Sequence, residues 1–294
     1  MSVPALRDVS DTARWVAYFR AVESERPDAL FADPYARVLA GERGQRIAEQ
    51  LPKGPLSWSI AVRTKVFDEL VLEAITSHGA RTVVNLAAGL DTRPYRLPLP
   101  PDLRWVEVDL PELVASKTDA LRRERPRCRV ERMALDLADA DARRALFSQF
   151  DHEPGCVLVV TEGLLVYLEE EVVTALAREL REYFPTGLWL MENISPAVLA
   201  RMKRLWESTL YKAAATMKFA PPEGLRFYEP LGWAPVAERA LIEEAGRFRR
   251  EMRVVTVIRA LGRILPPVGA AFARRQERFR DAVVYALMAP KPPQ

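Results

Sequence analysis

Histidine and cysteine are nearly missing from this chain of 294 residues, which has two of each: His78, His152, Cys128 and Cys156. Two isolated cysteines cannot build a disulfide framework, and no close Cys/His cluster exists to hold a structural zinc. Cys156 opens the apolar run Val157-Leu158-Val159-Val160, so the thiols read as small core groups rather than nucleophiles. The segment from Met1 to Asp8 has neither an apolar core nor a small-residue cleavage site, and no apolar run approaches bilayer-spanning length. The expectation is a soluble, cytoplasmic chain with no membrane partner. A dominant charge is also lacking, because 43 Lys+Arg against 40 Asp+Glu leave +3, mostly interspersed, which argues against a general polyanion-binding surface. One stretch departs from this balance: from Arg247 to Arg280 ten arginines accompany only Glu251 and Glu277. Such runs are usually solvated helix faces, so nucleic acid is not the expected partner.

What the chain does have is 49% apolar residues, enough for a substantial core, and a repeating helix and strand pattern from residue 59 to about 192. That alternation predicts an α/β fold with a parallel sheet and helices on its faces. Strands are expected at 82–86, 104–108, 129–135, 156–161 and 187–192, with a last one near 282–288. Helices are expected at 59–76, 111–124, 140–149 and 169–183, the last opening on Glu169-Glu170-Glu171, where carboxylates favour a helix N-terminus. Prolines at 94, 98, 100 and 101 leave room for little more than one helical turn after the first strand. An amphipathic helix over 10–25 carries Trp15, Tyr18, Phe19 and Val22 and precedes Phe31-Ala32-Asp33-Pro34-Tyr35. The expected organisation is one domain with four parts: an N-terminal helical segment (1–58), a cofactor-binding core (59–192), a helical cap insertion (193–233) and a C-terminal part of the sheet with helices (234–294).

The most informative segment runs from Val83 to Leu97, where an apolar strand enters the small-residue turn Ala87-Ala88-Gly89 followed by Asp91. Such a turn lets backbone approach a ligand closely. About twenty residues after Gly89, a second strand ends in Asp109, the spacing at which a nucleotide ribose meets an acid. A dinucleotide fingerprint would need three glycines, and Asp91 puts negative charge where phosphate would sit, so the turn suits a cationic adenosine cofactor, S-adenosylmethionine. Arg63 falls on the same helical face as Ile60 and Phe67, where a guanidinium needs an anion, and the methionyl carboxylate is one candidate beside an internal acid. Asp136, after the third strand, is placed for the adenine amino group, and Glu162, after the fourth, for the cofactor ammonium.

These segments together resemble the leucine carboxyl methyltransferase family in its broad sense, which includes bacterial polyketide-type O-methyltransferases. The resemblance is carried, in order, by Arg63-Thr64 with Asp68, the turn from Asn85 to Leu97, Glu107-Val108-Asp109-Leu110-Pro111, Asp136-Leu137, and Glu162 to Tyr167. It implies a class I methyltransferase-like, doubly wound, mostly parallel seven-stranded sheet with an antiparallel strand near its end. It implies cofactor contacts at Arg63, Ala87, Gly89, Asp91, Asp109, Leu110, Asp136, Leu137 and Glu162, with no metal, and a role for Tyr167 in orienting the acceptor. Ala87 stands where the family has the first glycine of Gly-Ala-Gly. The activity implied is O-methylation of a small-molecule acceptor in secondary metabolism. A carboxylate acceptor is ionised at neutral pH and needs no general base, which suits a chain without a catalytic histidine motif. A phenolic acceptor and a non-catalytic, nucleic-acid-associated protein are the alternatives.

Overall fold

A computed structural model describes residues 9–50, 55–150, 153, 155–207, 217–251 and 279–291. The chain opens with three helices, α1 (Val9–Ser24), α2 (Ala36–Gln50) and α3 (Pro55–Thr76), and then alternates. The alternating elements are β1 (Ala80–Leu86), the single turn α4 (Arg93–Arg96), β2 (Arg104–Asp109), α5 (Pro111–Ala120), β3 (Arg129–Ala134), α6 (Ala140–Phe147), β4 (Cys156–Thr161), α7 (Glu170–Tyr183) and β5 (Leu188–Ile194). The last part comprises α8 (Pro196–Glu207), a 3-10 segment (Gly224–Leu231), β6 (Trp233–Ala240), α9 (Leu241–Arg247) and β7 (Val283–Pro290).

The seven strands lie in the order β3-β2-β1-β4-β5-β7-β6. The first five pair in parallel, and β7 runs antiparallel between β5 and β6. Parallel strands need helical crossovers, and the helices bury both faces of the sheet. On one face Val84, Val106, Val159 and Trp189 pack with Phe147 and Leu176; on the other Val83, Trp105, Leu158 and Leu190 pack with Phe67 and Leu70. The order reverses between β1 and β4, which opens a crevice at their carboxyl ends.

Two features escaped the sequence pattern. Strand β6 was not expected, because Trp-Ala-Pro-Val-Ala-Glu-Arg-Ala is poor in β-branched residues and contains Pro235. It is one of the two edge strands of the sheet, a place where a missing N–H is tolerated. Helix α2 has Gly41 at φ 58 within it, a break that weakens its periodicity. Most of the arginine-rich stretch, 252–278, lies outside the described residues, as do 208–216 of the expected cap. Among the described residues no helix is long and apolar enough to cross a membrane, and no three potential metal ligands cluster.

Candidate functional site

A cavity of about 710 Å³ opens at the crevice where the strand order reverses. Its floor is the turn after β1. Ala87 and Gly89 both take positive φ, 53° and 50°, so the chain folds back sharply enough for Ala88 N–H to reach Val108 O at 3.1 Å. For Gly89 this conformation costs nothing, whereas Ala87 holds its Cβ against steric preference. Asp109, at the carboxyl end of β2, locks the turn: Oδ2 accepts Gly89 N–H at 2.6 Å and Oδ1 accepts Leu110 N–H at 2.7 Å. Each oxygen keeps lone-pair capacity toward the cavity, which Asp109 and Leu110 both line. Burial pushes the Asp109 carboxyl above its ordinary value, and the two backbone donors pull the other way.

The deeper wall is a buried ion network. Arg93 donates to Asp68 at 2.8 Å, Asp91 at 3.1 Å and Glu162 at 2.8 Å, and is itself 2% exposed. Arg63 pairs with Glu162 at 2.9 Å and Glu192 at 3.3 Å. Arg96 completes the Asp68 pair at 2.5 Å, and Arg20 pairs with Asp33 at 2.9 Å. Burial alone would raise Glu162, but Arg93 and Arg63 outweigh it and hold the carboxyl below its usual range. Asp91 is likewise held well below, with Arg93 as the main cation against burial. Glu192 goes the other way, because burial and the nearby Glu162 charge exceed what Arg63 returns.

This network shows what three of the residues selected from the sequence meet within the chain. The anion that meets Arg63 within the chain is the pair Glu162 and Glu192, not an empty place. Glu162 is not a bare carboxylate, since two guanidiniums already touch it. Asp91 does not present bare negative charge to the turn, because Arg93 neutralises it and Asn85 Nδ2 donates to it at 2.9 Å. All three nevertheless line the cavity.

The rim opposite β2 is formed after β3, where Asp136 Oδ1 accepts Ala138 N–H at 2.9 Å and the Leu137 carbonyl accepts Arg143 Nη1 at 2.6 Å, which fixes the loop. Tyr167 ends the 3-10 turn Leu165–Tyr167, just beyond Glu162, and also lines the cavity. Beside it the roof is largely apolar: Trp15 and Val16 from α1, Ile60 from α3, Ile194 at the end of β5, and Val198 and Met202 from α8. The positions selected from the sequence, from Arg63 to Tyr167, thus converge on one cavity.

The chain matches the model of the leucine carboxyl methyltransferase family over residues 13–181. It belongs to that family. A Streptomyces coelicolor protein named "Putative S-adenosyl-L-methionine-dependent methyltransferase" is 38% identical over 60% of this chain and 65% of its own length. A Parafrankia protein of the same name is 32% identical over 91% of this chain and 87% of its own length. The chain thus spans slightly less than two thirds of the Streptomyces relative. A DUF574 family protein from Streptomyces avermitilis shares the fold, with a TM-score of 0.59 at 15% identity over 96% of this chain and 97% of its own. A "putative methyltransferase" from Thermobifida fusca shares it as well, with a TM-score of 0.54 at 17% identity over 88% of this chain and 93% of its own, and the fold is that of class I methyltransferases.

Within this methyltransferase family member, sequence reasoning missed two groups of the site. Arg93 and Arg96 were read only as part of a proline-rich loop, although two arginines beside the acids of a tight turn are themselves a sign of pairing. Glu192 lies in an apolar strand as its single acid, in Leu188–Ile194, and that isolation was the available signal.

Proposed function

We propose that this chain uses S-adenosylmethionine to methylate a carboxylate of a small metabolite, giving a methyl ester. The observation that carries the cofactor reading is Asp109, whose two oxygens pin the turn yet remain open to a ribose at the cavity floor. The donor set fits a cationic cofactor: Asp109 and Asp136 line the cavity with no ion pair to any described residue, and no histidine lines it among the described residues. When bound, the cofactor supplies an electrophilic methyl on a sulfonium centre.

In this reading Asp109 would hold the ribose hydroxyls, Asp136 and Leu137 the adenine, and the backbone of Ala87 and Gly89 the adenosine edge. Asp91, Arg63 and Glu162 would bound the methionyl end. Tyr167 would orient the acceptor oxygen. An acceptor carboxylate already ionised would need no proton removed, so these residues would act by holding its oxygen against the cofactor's methyl group. Positioning therefore supplies most of the acceleration. Glu162, held anionic by two cations, is a weak base, which supports an acceptor already ionised.

Phenolic O-methylation is the second reading, and Glu192 favours it. This carboxyl lines the cavity, is raised above its usual range by burial, and is better suited to receive a phenol proton. The two readings part on product chemistry. Methyl-labelled S-adenosylmethionine is incubated with the protein and fractionated small-molecule extracts, and the labelled product is treated with mild alkali. Release of label as methanol is the result expected for an ester. Label that survives the treatment transfers the assignment to an aryl ether.

A further inference from the structure

Four guanidiniums line the cavity, and three of them are spoken for. Arg20 is held by Asp33, Arg63 by Glu162 and Glu192, and Arg93 by Asp68, Asp91 and Glu162. Arg201, from α8, has no hydrogen bond or ion pair with any described residue. It stands on the α8 face that also carries Val198 and Met202 into the cavity lining, with Ile194 and Met217 alongside. Arg201 is an exposed residue of this lining, so its guanidinium can be reached by an entering ligand that has an acidic head and an apolar body. The other three guanidiniums of the lining are matched by carboxylates within the chain, so among the described residues Arg201 is the attractive point for an anion entering this cavity.

We propose that Arg201 is the anion-recognition residue of the acceptor subsite and pairs with the carboxylate of an acceptor whose remaining body is apolar. The inference rests on the methyl-ester reading and narrows its substrate class to amphipathic carboxylic acids. A planar guanidinium engages both carboxylate oxygens through two parallel N–H donors. Each oxygen retains a lone pair for attack on the methyl group, so the clamp orients the nucleophile without consuming it. Transfer removes the acceptor's charge, since the anion becomes a neutral ester as the sulfonium becomes a neutral thioether. The ion pair with Arg201 is lost in the same event, which weakens the hold on product.

The test uses the full chain loaded with S-adenosylhomocysteine and titrated calorimetrically with decanoate, with 4-phenylbutanoate and with the primary amide of each. The wild-type protein is expected to bind at least one acid about tenfold or more tightly than its amide, the size of a charged hydrogen-bonded contact. Arg201→Gln is expected to bring acid and amide level, and Arg201→Lys to keep part of the difference, with S-adenosylhomocysteine affinity unchanged in both. Equal binding of acid and amide by the wild type, or an acid preference that survives in Arg201→Gln, overturns the assignment. Should S-adenosylhomocysteine itself fail to bind, the cofactor reading falls separately, and the acid and amide titrations on the protein alone still decide Arg201 by the same two results.

Discussion

On the floor of the cavity Arg93 answers three carboxylates, Asp68, Asp91 and Glu162, whereas on the roof Arg201 answers none among the described residues. The floor is a closed set of charges, buried and mutually satisfied, of the kind that fixes geometry before any ligand arrives. The roof is largely apolar and is supplied by α1, α3, α8 and the segment before β7. The match to the leucine carboxyl methyltransferase family ends at residue 181, so it covers the turns after β1, β2, β3 and β4 but not α8. A preformed floor suits a cofactor that does not vary. An apolar roof with one unspent charge suits a particular acceptor.

The sharpest way to break this comparison is to remove the floor's central cation. Arg93→Met takes a guanidinium from three buried carboxylates and leaves Asp91 without its ion pair, while Arg96 still meets Asp68 and Arg63 still meets Glu162, and the expected loss is about 3–5 kcal/mol in urea unfolding at pH 7. The pH dependence should become shallower as well. In the wild type Asp91 and Glu162 are held below their ordinary values, so their stabilisation is complete above about pH 4–5 and is lost as pH falls through their lower folded values. In Arg93→Met burial of Asp91 loses its main opposing charge, so protonation of Asp91 becomes easier in the folded state and the variant should lose less stability than wild type as pH falls from 7 to 5. Arg201→Gln, by contrast, should stay within about 0.5 kcal/mol of wild type, as expected for an exposed position. Comparable losses in the two variants would erase the distinction between floor and roof.

A smaller effect, confined to binding, is expected at the ribose position. Asp109→Ala should weaken S-adenosylhomocysteine by about tenfold or more while leaving a cooperative melt, because charge-assisted hydrogen bonds at a strand end are lost but no core packing is. Calorimetric titration measures the first and scanning calorimetry the second. An unchanged dissociation constant in the folded variant removes Asp109 from the site. The smallest effect concerns the strained turn. Ala87→Gly relieves a positive φ worth about 1 kcal/mol and costs a similar amount of unfolded-chain entropy, so its unfolding midpoint should barely move. Ala87→Val, β-branched at the same φ, should destabilise by more than 1 kcal/mol, roughly. If glycine destabilises as much as valine, the turn is held by the Ala87 methyl and not strained by it.

Much of this was written locally. The apolar run ending at Leu86, the small-residue turn and the acid at Asp109 are short-range patterns, and β2, β4 and β7 are likewise bounded by residues within a few positions. The helix of Arg63 was visible because its apolar period is regular over many turns. Strand β6 was not, since an edge strand needs neither two apolar faces nor an unbroken run of N–H donors. The sequence by itself determined the fold class, the family and most of the residues that meet at the carboxyl ends of the strands, because the alternation of elements and the turns that follow the strands are local patterns. Only the tertiary structure decided which charges cancel. Arg63 with Glu192 spans 129 positions and Arg93 with Glu162 spans 69, and no local pattern encodes a pairing made by bringing distant strand ends to one crevice. The same closure leaves Arg201 as the cation on the cavity wall without a described partner, a property that resides in its surroundings and not in its own stretch of chain.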